Sequence, residues 1–227
     1  MEKTFRDRAE AGRLLADQLG TYAEHNNVIV LALPRGGVPV AFEVATRLNV
    51  SLDVFIVRKL GVPGYEELAL GAIASGGVRV LNQDVVRVLP DAEAIVEAVT
   101  ANELVEMERR ERAYRDCRPA PEVRGRVAIL IDDGLATGAT MHAAVQALRQ
   151  REPAKIVVAV PVCAPETCRE IAQIADETVF LLAPEWFHGV GQFYDDFSQT
   201  SDEEVCRLLA QAARQLRSGG DRSGFEN

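Results

Sequence analysis

The segment Val127-Ala128-Ile129-Leu130-Ile131-Asp132-Asp133-Gly134-Leu135-Ala136-Thr137-Gly138-Ala139-Thr140 constrains the fold more than any other part of the chain. Its five leading apolar residues leave no polar face, so a strand made of them must be covered on both sides. Sheets buried in this way are parallel sheets with helices packed above and below. The run ends at two adjacent carboxylates, followed by a loop of small residues and a helix from about Ala139. Open α/β sheets bind ligands in the crevice outside the carboxyl ends of their strands. The segment therefore predicts a buried strand with a ligand-facing tip.

The remaining pattern agrees with that class. Apolar spacing predicts a helix over Asp7 to Tyr22, a strand over Val28 to Leu33, a helix over Val38 to Leu48 and a strand over Leu52 to Val57. Arg58 to Glu67 carries two glycines, a proline and four charges and reads as a loop. Leu68 to Ala74 and Val78 to Leu81 read as a hairpin, and Asp91 to Arg115 as a long charged helix. Beyond the acidic strand come a helix, a strand over Ile156 to Val160, a helix over Pro165 to Ala175 and a strand over Thr178 to Leu182. Alternating strands and helices predict an α/β fold, a mostly parallel sheet flanked by helices with right-handed crossovers. A core over 1–183, with its α/β part at 25–183 behind an N-terminal helix, is expected to carry an aromatic-rich appendage and tail over 184–227. Ser201 to Glu204 reads as a capping box, and the Ser/Gly-rich stretch after Arg217 as a fraying end.

Composition narrows the function classes. A net charge of −9 argues against a general nucleic-acid binder, and no apolar run reaches the ~20 residues of a membrane span. Met1 to Asp7 is charged and lacks the apolar core of a signal peptide. Cys117, Cys163, Cys168 and Cys206 show no paired metal spacing. A cytoplasmic chain with reduced thiols is expected.

The acidic tip and its loop have the layout of a site for a sugar carrying phosphate. Carboxylates accept hydrogen bonds from neighbouring hydroxyls. A Gly- and Ala-lined loop opening a helix aims backbone N–H groups and a positive helix end at phosphate. Leu33-Pro34-Arg35-Gly36-Gly37, at the end of the first strand, is a second candidate. Its glycines permit close approach, and Arg35 offers a planar guanidinium to phosphate oxygens. Taken alone, a Gly-Gly strand-to-helix turn is equally compatible with a purely structural role.

Val127 to Thr140 resembles the signature of the type I phosphoribosyltransferases, matching the pattern of four apolar residues, two acids, three variable positions and Thr-Gly-x-Thr at every fixed position. The resemblance implies binding of 5-phosphoribosyl 1-pyrophosphate with Mg²⁺. Asp132 and Asp133 would hold the ribose 2′- and 3′-hydroxyls and meet the metal directly or through water. Leu135, Ala136, Thr137, Gly138, Ala139 and Thr140 would cradle the 5′-phosphate. Arg35, Gly36 and Gly37 look like the family's pyrophosphate loop, which implies a cis peptide at Pro34–Arg35. Arg58 and Lys59 are similar to the start of the mobile lid of adenine phosphoribosyltransferases, and would act catalytically beside the two aspartates. The aromatic segment Pro184 to Phe197 looks like the family's hood, with Trp186, Phe187, Phe193 and Tyr194 as candidates for acceptor contact. Each of these rings has a packing role as its alternative. Glu66 or Glu67 in the lid would accept a proton. Ala136 stands where the 6-oxopurine branch carries an acid, which speaks against hypoxanthine, guanine or xanthine as acceptor. The implied function is transfer of the phosphoribosyl group to a nucleobase-like acceptor in nucleotide salvage, with release of pyrophosphate, by a homodimer. The alternative is a regulator that binds the same ligand without turnover.

Overall fold

The computed structural model describes residues 4–115 and 119–220, apart from the side chains of Glu66, Glu67 and residues 217–220. Its main sheet has five parallel strands: β1 (Val28–Ala32), β2 (Ser51–Val54), β6 (Val127–Ile131), β7 (Lys155–Val162) and β8 (Glu177–Leu182). They are ordered β2-β1-β6-β7-β8. Ala32 lies opposite Ile131, and Leu33 N donates to Ile131 O at 2.8 Å. The segments leaving β1 and β6 are thereby set side by side.

Alternation along these strands splits the core in two. Val28, Val30, Ala32, Ile129, Ile131, Val157 and Ala159 face α1 (Arg8–Gln18), α2 (Gly37–Leu48) and α7 (Asp202–Gly220). Ile29, Leu31, Ala128, Leu130, Ile156, Val158 and Val160 face α5 (Ala139–Arg149) and α6 (Pro165–Ile174). Asp7 caps α1 by accepting from Glu10 N at 2.7 Å. Ser201 Oγ accepts from Glu204 N at 3.2 Å, one half of the expected capping box.

The structure departs from expectation after β2. That strand stops at Val54, and the stretch read as a loop is a hairpin. Its strands are β3 (Val57–Val62) and β4 (Tyr65–Ala74); β5 (Val78–Leu81) completes a separate antiparallel sheet ordered β3-β4-β5. The residues that read as loop signals have positions in the hairpin. Gly61 marks register shifts in the β3–β4 ladder, and Gly64 lies just past Val62 at the tip with φ +80. Leu60 and Val62 are buried against Val96 and Met107 of α4 (Ala92–Arg115), and the short α3 (Gln83–Val86) follows β5.

Arg115, 2% exposed at the end of α4, ties the two sheets together. Nε donates to Asp53 Oδ1 at 2.9 Å, Nη1 to Glu111 Oε1 at 2.8 Å, and Nη2 to Val54 O at 2.5 Å and Ser75 Oγ at 3.5 Å.

The segments around Phe5 and Phe193 also pair. Phe5 N donates to Phe193 O and Asp195 N to Phe5 O, both at 2.8 Å, and Asp196 N donates to Arg6 O at 2.9 Å. Phe5, Phe193 and Tyr194 form a third buried cluster with Ala11 and Val162. Helix α7 runs to Gly220, into the stretch expected to fray, as helix propagation is cheap once a turn exists. Cys117 and residues 221–227 lie outside the described residues. Among the described residues no helix is long and apolar enough to cross a membrane.

Candidate functional site

Adjacent parallel strands bring two loops together. The loop after β1 carries a cis peptide at Pro34–Arg35, the bond where it was expected. It is closed by Gly37 N donating to Leu33 O and Val38 N to Arg35 O, both at 3.1 Å. A Cβ at position 36 would overlap the Asp133 carboxylate, and one at 37 would fall 2.9 Å from Asp132 Cα. Glycine is required here because the acid pair packs directly on this backbone. Arg35 reaches across to α7, with Nη1 3.8 Å from Asp202 Oδ1. Asp202 also accepts from Tyr114 OH at 2.6 Å, and burial followed by this bond pushes the Tyr114 phenol up.

The two carboxylates have different surroundings. Asp132 Oδ1 accepts from Asp133 N at 2.9 Å. Burial, then the neighbouring Asp133 charge, holds the Asp132 carboxyl well above the usual carboxylate range. Arg8, the first residue of α1, places Nε and Nη2 on Asp133 Oδ2, each at 2.8 Å. The Arg8 and Asp133 side chains are only 11% and 14% exposed. Burial raises Asp133 too, and Arg8 pulls against it. Tyr194 OH donates to Asp133 O at 2.6 Å, and burial first, then the Asp133 charge, pushes this phenol up. Arg8 continues outward, with Nη1 donating to Ser198 O at 2.7 Å and Cζ lying 4.0 Å from the Phe197 ring centroid.

The residues of the loop after the acid pair differ in their surroundings. Leu135 is 3% exposed and bridges Cys163. Its N–H donates to Val162 O and its carbonyl accepts from Ala164 N, both at 2.9 Å. The parallel ladder thus consumes the Leu135 amide, which has no N–H left for the phosphate contact expected of it. Ala136, Thr137, Ala139 and Thr140 are exposed. Gly138 has φ +67 at the N-cap of α5, and no side chain caps that helix. Its first-turn N–H groups and positive end therefore face outward. Ala136 O accepts from Thr167 OH at 2.6 Å, which fastens the loop to α6.

Arg58 and Lys59 do not converge. Consecutive residues on a strand point to opposite faces. Arg58 pairs with Glu103 of α4 at 2.6 Å. Lys59 lines a cavity of about 480 Å³ between the antiparallel sheet and α5, shared with Ala72, Asn82, Thr140, His142 and Gln146. Of the two expected cations, only Lys59 lies on the side of the loop after β6, where it shares this cavity with Ala139 and Thr140.

The aromatic segment is divided between packing and exposure. Phe193 is 1% and Tyr194 6% exposed, and Phe187 stacks on Phe193 at 5.6 Å between centroids. Trp186 is 74% exposed, and Phe197, 38% exposed, stacks on Tyr194 at 5.1 Å. The side chains of Glu66 and Glu67 lie outside the described residues. Arg8 and Thr167 were missed at the sequence level. Their partners lie 125 and 31 residues away, and no local motif marks either.

No group of three or more His, Cys, Asp or Glu side chains among the described residues forms a metal cage. Two adjoining carboxylates still suit Mg²⁺, an oxygen-seeking ion that commonly takes one or two protein ligands and completes its shell with water and substrate phosphates.

Comparison with known proteins places this geometry. A Mycobacterium tuberculosis protein (strain CDC 1551 / Oshkosh) named as a candidate phosphoribosyl transferase is 48% identical over 218 residues. The alignment takes in 96% of this chain and 49% of the relative. Its counterpart in strain ATCC 25618 / H37Rv gives the same figures. The chain thus spans about half the length of these curated relatives. The crystal structure of TT1426 from Thermus thermophilus superposes with a TM-score of 0.83 at 43% identity, covering 92% of this chain and 98% of that one. Residues 6–198 match the phosphoribosyl transferase domain, a span that holds the β1 loop, the acid pair, the cradle and the aromatic segment. The chain belongs to the phosphoribosyl transferase domain family.

Proposed function

We propose that this chain is a Mg²⁺-dependent phosphoribosyltransferase that moves the phosphoribosyl group of 5-phosphoribosyl 1-pyrophosphate to a nucleobase-like nitrogen, releasing pyrophosphate. The observation that carries the reading is the contact of the Gly36-Gly37 backbone with the Asp132-Asp133 pair, beside the uncapped start of α5. That arrangement supports a reading in which a pyrophosphate loop, hydroxyl acceptors and a phosphate-binding helix end serve one sugar.

In this reading the amides of Ala136 to Thr140, at the start of α5, fix the 5′-phosphate, and the acid pair orients the ribose through its hydroxyls. Mg²⁺, held by Asp132 and Asp133 directly or through water, offsets charge on the pyrophosphate when bound. The Arg35 guanidinium and the amides of Gly36 and Gly37 hold the leaving oxygens, and Lys59 adds charge when the hairpin closes. Bond breaking at the anomeric carbon leaves the ring cationic, which the neighbouring carboxylates stabilise. The segment from 184 onward roofs the acceptor side, with exposed Trp186 available for stacking and Phe187 shaping the wall. Glu67 remains the proposed proton acceptor. Salvage of a base, a cytoplasmic setting and a homodimer complete the proposal.

The test is release of pyrophosphate from 5-phosphoribosyl 1-pyrophosphate and Mg²⁺ across a panel of bases. Asp132→Asn should abolish release with the fold retained. Asp133→Asn is the poorer control, because it leaves the Arg8 charge buried without its partner, at a cost of ~3–5 kcal/mol. Binding of the sugar without release for any base would replace catalysis by ligand sensing.

A further inference from the structure

The geometry points to Arg8 as a positioning residue that aims the sugar-facing carboxylate of Asp133 and couples it to the aromatic segment at 193–198. This inference rests on the sugar-phosphate reading above. An arginine presents five N–H donors in one plane. Here both donors directed at Asp133, Nε and Nη2, land on the same oxygen, Oδ2. None of Arg8's donors uses Oδ1, so that oxygen, beside the Asp132 carboxyl with which Asp133 interacts, is assigned by this inference to a sugar hydroxyl. Three further constraints act on the same residue. Gly36 packs against its carboxylate, Tyr194 OH holds its carbonyl, and its backbone N–H donates to Asp132.

The other side of the guanidinium determines where Arg8 itself can sit. Nη1 is tied to Ser198 O, and the plane rests on Phe197, which is stacked in turn on Tyr194. A movement of the aromatic segment is therefore transmitted to Asp133 through one planar guanidinium held on both sides. Lysine cannot reproduce this, because a single ammonium has no plane to stack and no fork to span the two acceptors.

The residue should act on hydroxyl recognition more than on phosphate affinity. The test compares ribose 5-phosphate, its 2-deoxy and 3-deoxy analogues, and Mg²⁺-pyrophosphate by calorimetry. The proteins are wild type, Arg8→Lys and Arg8→Ala. Wild type should favour ribose 5-phosphate over at least one deoxy analogue by about tenfold. In both variants ribose 5-phosphate should weaken by about tenfold, the deoxy sugar by under threefold, and pyrophosphate by under twofold. If Arg8→Lys keeps the full hydroxyl preference, or if every ligand weakens equally, the inference is overturned and Arg8 is structural only. Absence of ribose 5-phosphate binding by wild type would instead overturn the sugar-phosphate reading itself, and this inference with it.

Discussion

Replacing Arg115 by methionine isolates what joins the hairpin bearing Arg58 and Lys59 to the parallel sheet. Methionine roughly preserves the side-chain volume, so the loss reports charge and hydrogen bonds rather than a cavity. The guanidinium is 2% exposed and serves Asp53, Glu111, the Val54 carbonyl and Ser75. Removing one member of a buried ion pair costs ~3–5 kcal/mol, because the partner charge is left uncompensated. Asp53 and Glu111 keep 21% and 26% of their side chains accessible, so water recovers part of the loss. The expected cost is the lower end, ~3 kcal/mol. Each kcal/mol moves Tm by ~2–4 °C in a chain of this size, which gives a fall of ~6–12 °C. Thermal unfolding by circular dichroism reads this directly. Arg115→Lys should recover less than half, since one ammonium cannot reach acceptors on β2, on α4 and at Ser75 together. Hydrogen exchange should accelerate in β3 and β4 before β6 and β7. A fall under ~2 °C for the methionine variant would refute the argument that this network joins the sheets.

Three further outcomes follow from the site. Asp132→Asn should stabilise the fold at neutral pH, since burial disfavours the charged form of the native residue. Its raised folded pKa gives the native carboxyl stability present below the unfolded value of ~3.9 and lost as pH rises through the folded value, at ~1.4 kcal/mol per unit of displacement. The Tm advantage of the variant should therefore grow from acid to neutral pH, and a pH-independent difference would contradict this. Thr167→Val removes the donor to Ala136 O, worth ~1 kcal/mol where water can re-solvate the carbonyl. Ribose 5-phosphate affinity should drop about fivefold by calorimetry, and an unaltered affinity would mean that the bond does not shape the cradle. Arg35→Ala should weaken Mg²⁺-pyrophosphate by ~10- to 100-fold through loss of a charge-assisted contact, with ribose 5-phosphate less affected. Equal losses would count against the β1 loop as the pyrophosphate site.

What was legible in the sequence was whatever is encoded within a few residues. Val127 to Ile131 had no polar face, so its burial between two helical layers followed directly, and the Asp132-Asp133 tip came with it. The Gly36-Gly37 pair was legible as a close-approach site, though not what it approaches. The β3–β4 hairpin was misread because Gly61 and Gly64 signal a loop when counted, and signal a bulge and a tip only once Leu60 and Val62 have a helix to pack on. Leu135 was assigned to the cradle by the motif, whereas the carboxyl end of β7 and the residues just past it claim its backbone. Arg8 could not be read at all. An arginine at the start of a surface-type helix carries no mark of a carboxylate 125 residues away.

The bond from Arg8 to Ser198 spans 190 positions of the chain. During synthesis the amino-terminal helix emerges long before the segment that will hold its arginine in place. Through that interval Asp133, once made, has its counter-charge but not the brace behind it. The brace on the Arg8 guanidinium is thus in place only once the segment around Ser198 has been made. Bulky fusions ahead of Phe5, whose backbone pairs with Phe193 and Asp195, would press on the same late-forming seam.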